Sequence, residues 1–499
     1  MKVGADDFLA ARGDLGPAAW RKLEQKAITL AHPVFARFRR REASERAAIP
    51  ERDGLTDTGN AERLVAADGE DLRYCEQAGR WFVYDHAAGV WIRDEAGEVM
   101  RRAKMIPRAM YQEAAGLADD KARAALVAHA RKSESEPALR RMVKLAESEP
   151  GIPIRLDAFD ADPWVFNVAN GTLDLREGTF GPHRRERLLT KRAPVAYDPD
   201  AECPTFRAFL ARIFAGDQDV IGFVQRAVGY SLTGDTSEQI LLFLWGLGAN
   251  GKTTLLELLR ALLGDYAEVA DFSTFLASDR DGPRNDLAKL RAARLVTAVE
   301  VGEGRRLAEA LVKQVTGGDM LTARFLFHEF FTFRPAFKLW LAANHKPAIK
   351  GTDHAIWRRI RLIPFTVTIP PEEQDRDLPA KLRAELSGVL NWALEGCRAW
   401  QRDGLGQAEA VRQATAAYQA EQDPVGPFLD EACVLEPSAY VPSNALRNAY
   451  ERWCEANGEK PVSPRAFADR LKERGLVADK GTGGRRQWLG IRLVEGSER

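Results

Sequence analysis

The sequence predicts an α/β protein: a parallel-sheet core, preceded by a mixed α+β region and followed by helices and a small C-terminal unit. Three observations predict it. Residues 239–264, "QILLFLWGLGANGKTTLLELLRALLG", pass from an unbroken apolar run through a glycine-rich turn into a helical pattern. Two further apolar runs follow, "RLVTAVE" (294–300) and "FKLWLAAN" (337–344), each ending on a polar residue. Uninterrupted apolar strands of this kind belong to parallel sheets covered on both faces. Helical periodicity fills 205–235 and 376–422, on either side of that core.

Taken in order, residues 1–54 read as a polar helical segment. "WRKLEQKAITLAHPVFARFRRREASERAA" places apolar residues at helical spacing beside a dense basic face. A solvated helix face and a nucleic-acid contact both account for it. Residues 55–205 read as an α+β accessory domain. "RWFVYDHAAGVWIRDEAGEVM" is two aromatic strands around a glycine turn, residues 100–150 are helical, and "FDADPWVFNVANGTLDLREGTF" is loop and short strand. Asp157, Asp160 and Asp162 lie close together there. Polymerising chemistry needs paired carboxylates that hold two metals, but capping and turn formation are the simpler role for this trio, so no primase activity is expected.

The core, 206–370 with its leading helices, carries the chemistry. The turn Gly246-x-x-x-x-Gly251-Lys252-Thr253 is a phosphate cradle. Its backbone N–H groups can wrap phosphate oxygens, and the next helix adds its positive end. The loop residues expected to meet ATP are Gly246, Gly248, Ala249, Asn250, Gly251, Lys252, Thr253 and Thr254. Lys252 would reach the β- and γ-phosphates, and the Thr253 hydroxyl would bind Mg²⁺. Glu300, at the end of the second strand, can hold the Mg²⁺ shell and polarise a water, with Glu303 just beyond. Asn344, at the tip of the third, can touch the γ-phosphate or that water. Taken singly, Glu300 reads equally as a surface carboxylate, and Asn344 as a turn former before "HKP". Their order as strand tips in one unit joins them, because ligands of such sheets sit at the carboxyl ends of the strands. Next, "DHAIWRRIRLIPF" sets Arg358 and Arg359 before an apolar strand. Either a salt-bridged pair or an arginine finger fits that pattern.

Residues 371–424 read as a helical segment and linker, and 425–499 as a separate unit. In the latter, "SNALRNAYERWCEANGE" and "SPRAFADRLKERGL" are amphipathic helices with Ser443 and Ser463 as N-caps. "VADKGTGGRRQWLGIRL" is strand, glycine-rich wing and strand, which completes a winged-helix pattern. Residues 463–492 hold eight basic and three acidic side chains. Arg465, Arg470, Lys472, Arg485 and Arg486 are the candidate DNA contacts, against protein docking as the other reading.

Bulk properties exclude several classes. The 499 residues carry 72 Lys+Arg against 72 Asp+Glu, so any nucleic-acid surface must be local. Five cysteines form no CxxC pair, which argues for reduced thiols and against a zinc site. The N-terminus lacks a signal-peptide pattern, and no run of about 18 apolar residues suggests a membrane span. A cytoplasmic location is expected, with no membrane partner.

The ordered motifs "GLGANGKTT", "RLVTAVEVGEGRRLAEALVKQVTGGDMLTARFLFHEFFTFRP", "FKLWLAANHKP" and "GTDHAIWRRIRLIPF" resemble the superfamily 3 helicase domain of the phage/plasmid primase–helicase family, related to the poxvirus primase-helicase. Upstream, "LTDTGNAERLVAADGEDLRY", "FDADPWVFNVANGTLDLREG" and "VGYSLTGDTSEQ" resemble the accessory domain that precedes this motor. The C-terminal unit resembles the family's winged-helix tail, so the likeness covers most of the chain.

The resemblance implies an AAA+-type P-loop ATPase core that assembles as a homo-hexamer around DNA. It implies ATP and Mg²⁺ as cofactors, single-stranded and forked DNA as partners, and a separate primase or initiator. It makes Lys252 and Thr253 the ATP and Mg²⁺ residues, Glu300 the second-motif acid with Glu303 as companion, and Asn344 the sensor. Arg359 or Arg358 is the trans-acting finger. Within "TARFLFHEFFTFRP" it implies a pore hairpin, tipped near Phe327, His328 and Glu329, with Lys313 and Arg324 upstream. Glu329 departs from relatives with Lys–His at the tip and would repel phosphate. The expected activity is a DNA helicase of phage, prophage or plasmid replication, moving 3′ to 5′. An initiator or loader without processive unwinding, and a defence or packaging ATPase, are the alternatives.

Overall fold

The structure, a computed structural model, describes residues 54–277, 285–299, 306–324, 331–349, 354–423, 425–481 and 484–494. The basic segment expected at 1–54 lies almost wholly outside the described residues. The chain divides into two compact units. Among the described residues, one holds 54–72 with Glu95–Pro153, and the other holds Arg73–Asp94 with those from Ile154 onward. The stretch read from sequence as one accessory domain, 55–205, is therefore shared between them.

The first unit is helical: α1 (Asp57–Asp68), α2 (Glu98–Ala103), α3 (Met105–Gly116), α4 (Asp120–Ser133) and α5 (Glu136–Ala146). Thr56 starts α1, its hydroxyl accepting the Gly59 N–H at 3.0 Å, and Asp119 does the same for α4 through Lys121. Leu64, Met110, Leu126 and Met142 supply the core. One polar group is buried among them: the Asn60 amide donates to Ser133 Oγ at 2.9 Å and meets His129 Nε2 at 2.9 Å. Its bonding potential is met within the unit, as a buried amide requires.

The second unit opens with two small sheets, one of β1 (Leu72–Cys75), β2 (Arg80–Asp85) and β3 (Val90–Arg93), and then one of β4 (Val165–Val168), β5 (Gly171–Asp174) and β6 (Thr179–Gly181). Between the two, the acidic trio takes structural roles. Asp157 pairs with Arg155 at 2.9 Å. Asp160 accepts the Thr190 N–H at 2.8 Å, and Asp162 that of Trp164 at 2.9 Å. Two helices follow, α6 (Pro204–Ile213) and α7 (Gln218–Leu232), the second capped by Asp217.

The core is one five-stranded sheet. Its members are β7 (Leu241–Trp245), β8 (Ala267–Val269), β9 (Leu295–Val299), β12 (Lys338–Ala343) and β13 (Ile360–Pro364), in the order β13-β7-β12-β9-β8. Every neighbour pair is parallel. The apolar runs alternate between two cores: Leu242, Leu244, Trp340 and Ala342 face one, while Leu241, Phe243, Leu339 and Leu341 face the other. That two-sided burial is why the strands read as continuous rather than alternating. Helix α8 (Lys252–Leu263) follows β7, and α9 (Asn285–Ala288) precedes β9. Between β9 and β12 come α10 (Glu309–Gly317) and the antiparallel pair β10 (Leu321–Ala323) and β11 (Phe331–Phe333), in register Thr322 to Thr332.

After a single turn, α11 (His354–Trp357), and β13 come α12 (Leu378–Ala384), α13 (Leu386–Asp403) and α14 (Glu409–Glu421). The C-terminal part has its own core around Phe428, Leu446, Tyr450, Phe467, Trp488 and Ile491. It runs α15 (Gly426–Ala432), β14 (Cys433–Pro442), α16 (Ser443–Ala456), α17 (Pro464–Glu473), β15 (Val477–Lys480) and β16 (Arg486–Leu493), with sheet order β14-β16-β15. One expectation needs correction here. Ser443 is the first helical residue of α16 and Pro442 its cap, so Ser443 makes no capping bond. By contrast, Ser463 does cap α17, accepting the Ala466 N–H at 3.3 Å. Strand β14 was not among the expected elements. Its register with β16 shifts between Leu435 and Tyr440, an irregularity in the pairing.

Candidate functional site

The loop from Gly246 to Gly251 leaves the carboxyl end of β7 and delivers the first turn of α8. A cleft of about 280 Å³ opens there, lined by Gly248 to Thr254 together with Val299, Ala342, Ala343 and Asn344. The tips of β7, β9 and β12 thus meet at one place. Gly246 can be nothing larger. A Cβ there would stand 2.3 Å from the Phe365 carbonyl oxygen and 2.4 Å from Asn250 Nδ2. Gly251 has φ +84°, and its Cβ would meet Ile213 Cγ2 at 2.6 Å. Ala249 also takes a left-handed φ, 47°. Its carbonyl accepts the Ile369 N–H at 2.7 Å, so the segment leaving β13 braces the loop from behind.

Lys252 is the centre of the cleft. It is 6% exposed, and its Nζ donates to Gly246 O at 2.6 Å, Asn250 Oδ1 at 3.1 Å and Asn344 Oδ1 at 3.1 Å. An ammonium has three donors, and all three point at neutral oxygens. Burial pushes its pKa down to about 8. Asn344, exposed at the end of β12, is thereby joined to the loop across the sheet. Thr253 is exposed at the start of α8, and Thr254 stands beside it half-buried. The Thr253 hydroxyl is an oxygen donor of the kind Mg²⁺ takes. Glu300 directly follows Val299, a cleft residue, but Glu300 and Glu303 lie outside the described residues. The described part of the site fits a nucleotide's phosphates and their cation: N–H-rich loop, helix start, ammonium and hydroxyl.

The remaining expected residues are placed as follows. Arg359 is 8% exposed and turned inward, bonded to Thr316 Oγ1 at 3.2 Å and Ala355 O at 2.5 Å. Arg358 is exposed and reaches Gln239 Oε1 at 3.3 Å. Neither approaches this chain's own cleft. Lys313 is half-buried on α10, and Arg324 is exposed just past β10. Phe327, His328 and Glu329 lie outside the described residues. In the C-terminal part Arg465, Lys472, Arg485 and Arg486 are exposed. Arg470 differs from that expectation. It is turned toward the linker, 3.6 Å from Asp423, which also binds Arg474. Its charge is engaged inside the chain.

Sequence reasoning missed Lys346. Its Nζ lies 2.7 Å from Glu421 and 4.4 Å from the Trp245 ring centre. Its signal was position alone, two residues after Asn344. The cysteines take no part, since all five are buried and free. Burial pushes Cys397 up to about 11 and Cys433 to about 12, which makes inert thiols. Among the described residues, no His/Cys/Asp/Glu group could hold a metal ion by itself, and no helix is long and apolar enough to cross a membrane.

Comparison with known proteins adds to this geometry. Residues 61–215 match the family described as D5 N terminal like, residues 420–477 the family Poxvirus D5 protein-like, and residues 244–359 a family of unknown function. The chain is 29% identical over 306 residues to the "Putative helicase L207/L206" of Acanthamoeba polyphaga mimivirus, covering 56% of this chain and 32% of that protein. It is 27% identical over 386 residues to the "Putative helicase 022R" of Frog virus 3 (isolate Goorha), covering 60% and 40%. It is 24% identical over 336 residues to the "Putative primase C962R" of African swine fever virus (strain Badajoz 1971 Vero-adapted), covering 60% and 34%. The matches thus span between 32% and 40% of these relatives' lengths. Among solved structures, the apo A form of the NrS-1 C-terminal region has a TM-score of 0.50 at 10% identity, covering 86% of this chain and 98% of that one. That likeness is one of fold, and the fold is mixed α/β.

Proposed function

From the chain's place in the poxvirus D5-like primase–helicase family, we propose that it is the ATP-driven motor of a replicative DNA helicase. One observation carries this reading: Lys252 sits buried in the cleft at the carboxyl edge of the parallel sheet, with Asn344 on the neighbouring strand as its partner. An ammonium on a glycine-rich loop between a strand and a helix is the arrangement that binds terminal phosphates. The core is then a P-loop ATPase of AAA+ type.

In this reading the loop N–H groups and Lys252 hold the β- and γ-phosphates, and Asn344 orients the attacking water. Magnesium, held by Thr253 and Glu300, supplies charge neutralisation at the transferred phosphoryl when bound. Arg358, with Arg359 the other candidate, serves a neighbouring subunit's site, which requires a ring, and we take a homo-hexamer. Exposed apolar side chains at the cleft suit a neighbour closing over it: Leu247 is 75% and Val299 44% exposed. The β10–β11 pair, with Lys313 and Arg324, is the pore hairpin that grips single-stranded DNA. Movement is 3′ to 5′. The C-terminal part is a winged helix that binds DNA through Arg465, Lys472, Arg485 and Arg486. Primer synthesis falls to a separate primase, since Asp157, Asp160 and Asp162 are engaged in local structure.

Strand displacement on a forked duplex, with ATP and Mg²⁺, tests the reading. Displacement by the wild-type chain and none by Lys252→Ala is the expected result. If DNA stimulates hydrolysis but no strand is released, the chain is an initiator or loader. Turnover retained in Lys252→Ala would sink the site assignment itself.

A further inference from the structure

We propose that Lys346 is a positioning residue that relays occupancy of the nucleotide cleft to the C-terminal winged helix, through the end of α14 and the linker carboxylate Asp423. The inference rests on the nucleotide-site reading above and adds a route of regulation to it.

The Lys346 ammonium joins three pieces. It lies 2.7 and 2.8 Å from the two oxygens of Glu421, the last residue of α14. It also stands over the ring of Trp245, the last residue of β7, and over that of Tyr418, at 4.4 and 5.5 Å. The Lys346 side chain is 13% exposed, whereas that of Glu421 is 53% exposed, so the lysine is the shielded half of the pair. Two further bonds tie the same segments. The Ile349 N–H donates to Gln422 Oε1 at 3.0 Å, and the Tyr418 hydroxyl donates to the Pro347 carbonyl. Residues 346–349 and 418–422 are thus one bonded body. One residue further, Asp423 accepts from Arg474 and lies 3.6 Å from Arg470, both at the end of α17 and its cap.

The other end of this body meets the cleft. Lys252 has its three donors on Gly246 O, Asn250 Oδ1 and Asn344 Oδ1. A phosphate oxygen can bind that ammonium only by replacing one of them. Gly246 and Asn250 are buried within the braced loop, whereas Asn344 is exposed at a strand end. Asn344 is therefore the partner to yield. The turn it begins leads directly to Lys346. A shift there reaches Asp423 through bonded groups alone, the contiguous kind of network that carries coupling between sites.

Fluorescence anisotropy of a labelled DNA duplex tests the relay, with and without a non-hydrolysable ATP analogue and Mg²⁺. The proteins are the full chain, Lys346→Met, Lys346→Arg and Asp423→Asn. The wild type and Lys346→Arg are expected to change DNA affinity with nucleotide by a factor on the order of 5 to 150. Lys346→Met and Asp423→Asn should abolish that difference while still binding nucleotide. Asp423→Asn leaves the cleft untouched, so it decides the matter if Lys346→Met folds poorly. A wild-type difference retained in Asp423→Asn overturns the relay. So does a wild type whose DNA affinity ignores nucleotide. In either case, ATP turnover by the same wild-type sample leaves the motor assignment standing. A wild type that binds no nucleotide removes both.

Discussion

At the scale of single residues, the site turns on a cation held by neutral partners. Among the bonds that fix Lys252 Nζ, all three acceptors are carbonyl or amide oxygens, and desolvation lowers its pKa from 10.5 to about 8. A bound polyphosphate places negative charge beside it and raises that value again. The sign follows. Below about pH 8 the ammonium is charged with or without ligand, and affinity is flat in this respect. Above it, the ligand-free protein has lost the proton that the bound form keeps, so binding takes up a proton and affinity falls as pH rises, by at most about tenfold per pH unit. Calorimetry of ATP binding at about pH 8.5, in two buffers of different ionisation enthalpy, reads the uptake directly. Equal heats in the two buffers would contradict a lowered Lys252 pKa.

At the scale of elements, β7, β9, β12 and β13 were legible because continuous apolar runs such as "LLFLW" and "KLWLAA" have no other easy home, whereas β8, half-buried or exposed along its length, was not. The loop was legible because Gly246 and Gly251 stand where a Cβ collides. What sequence left open was which way a charged side chain turns. Arg470 and Arg465 share one helix, yet Arg470 faces Asp423 while the Arg465 side chain is 95% exposed. That choice is set by a linker residue 47 positions away in sequence, which no local pattern reports. The same limit separates Arg358 from Arg359. The buried Arg359, just before β13, bonds Thr316 on α10, so Arg359→Ala should cost about 1–3 kcal/mol in stability, by leaving the buried Thr316 contact unmet. The exposed Arg358 makes no such demand. Arg358→Ala should melt like wild type, bind nucleotide and fail to hydrolyse it. Thermal melts paired with turnover assays separate the two. Full hydrolysis by Arg358→Ala, with a wild-type melt for Arg359→Ala, would reverse the assignment.

At the scale of the whole molecule, a chain of zero formal net charge has no general attraction for a polyanion. Under the proposed function, its grip on DNA has to be local, and the candidate contacts Arg324 beside the β10–β11 pair, and Arg465, Lys472, Arg485 and Arg486 in the C-terminal part, are all exposed. These lie on separate elements, and neither candidate finger reaches its own cleft. The proposed ring would answer both points. It would repeat a weak basic site around one strand, so that several modest contacts act at high effective concentration. It would also bring Arg358, just before β13, of one subunit to the cleft of the next. The consequence is cooperative failure. When wild-type chains are co-expressed with Lys252→Ala chains in rising proportion, strand displacement should fall more steeply than the wild-type fraction, because one dead cleft stalls its neighbours. Independent subunits would instead lose activity in simple proportion. A linear decline, measured on assemblies of known composition, would rule out the ring as the unit of action while leaving the single-chain chemistry of Lys252 intact.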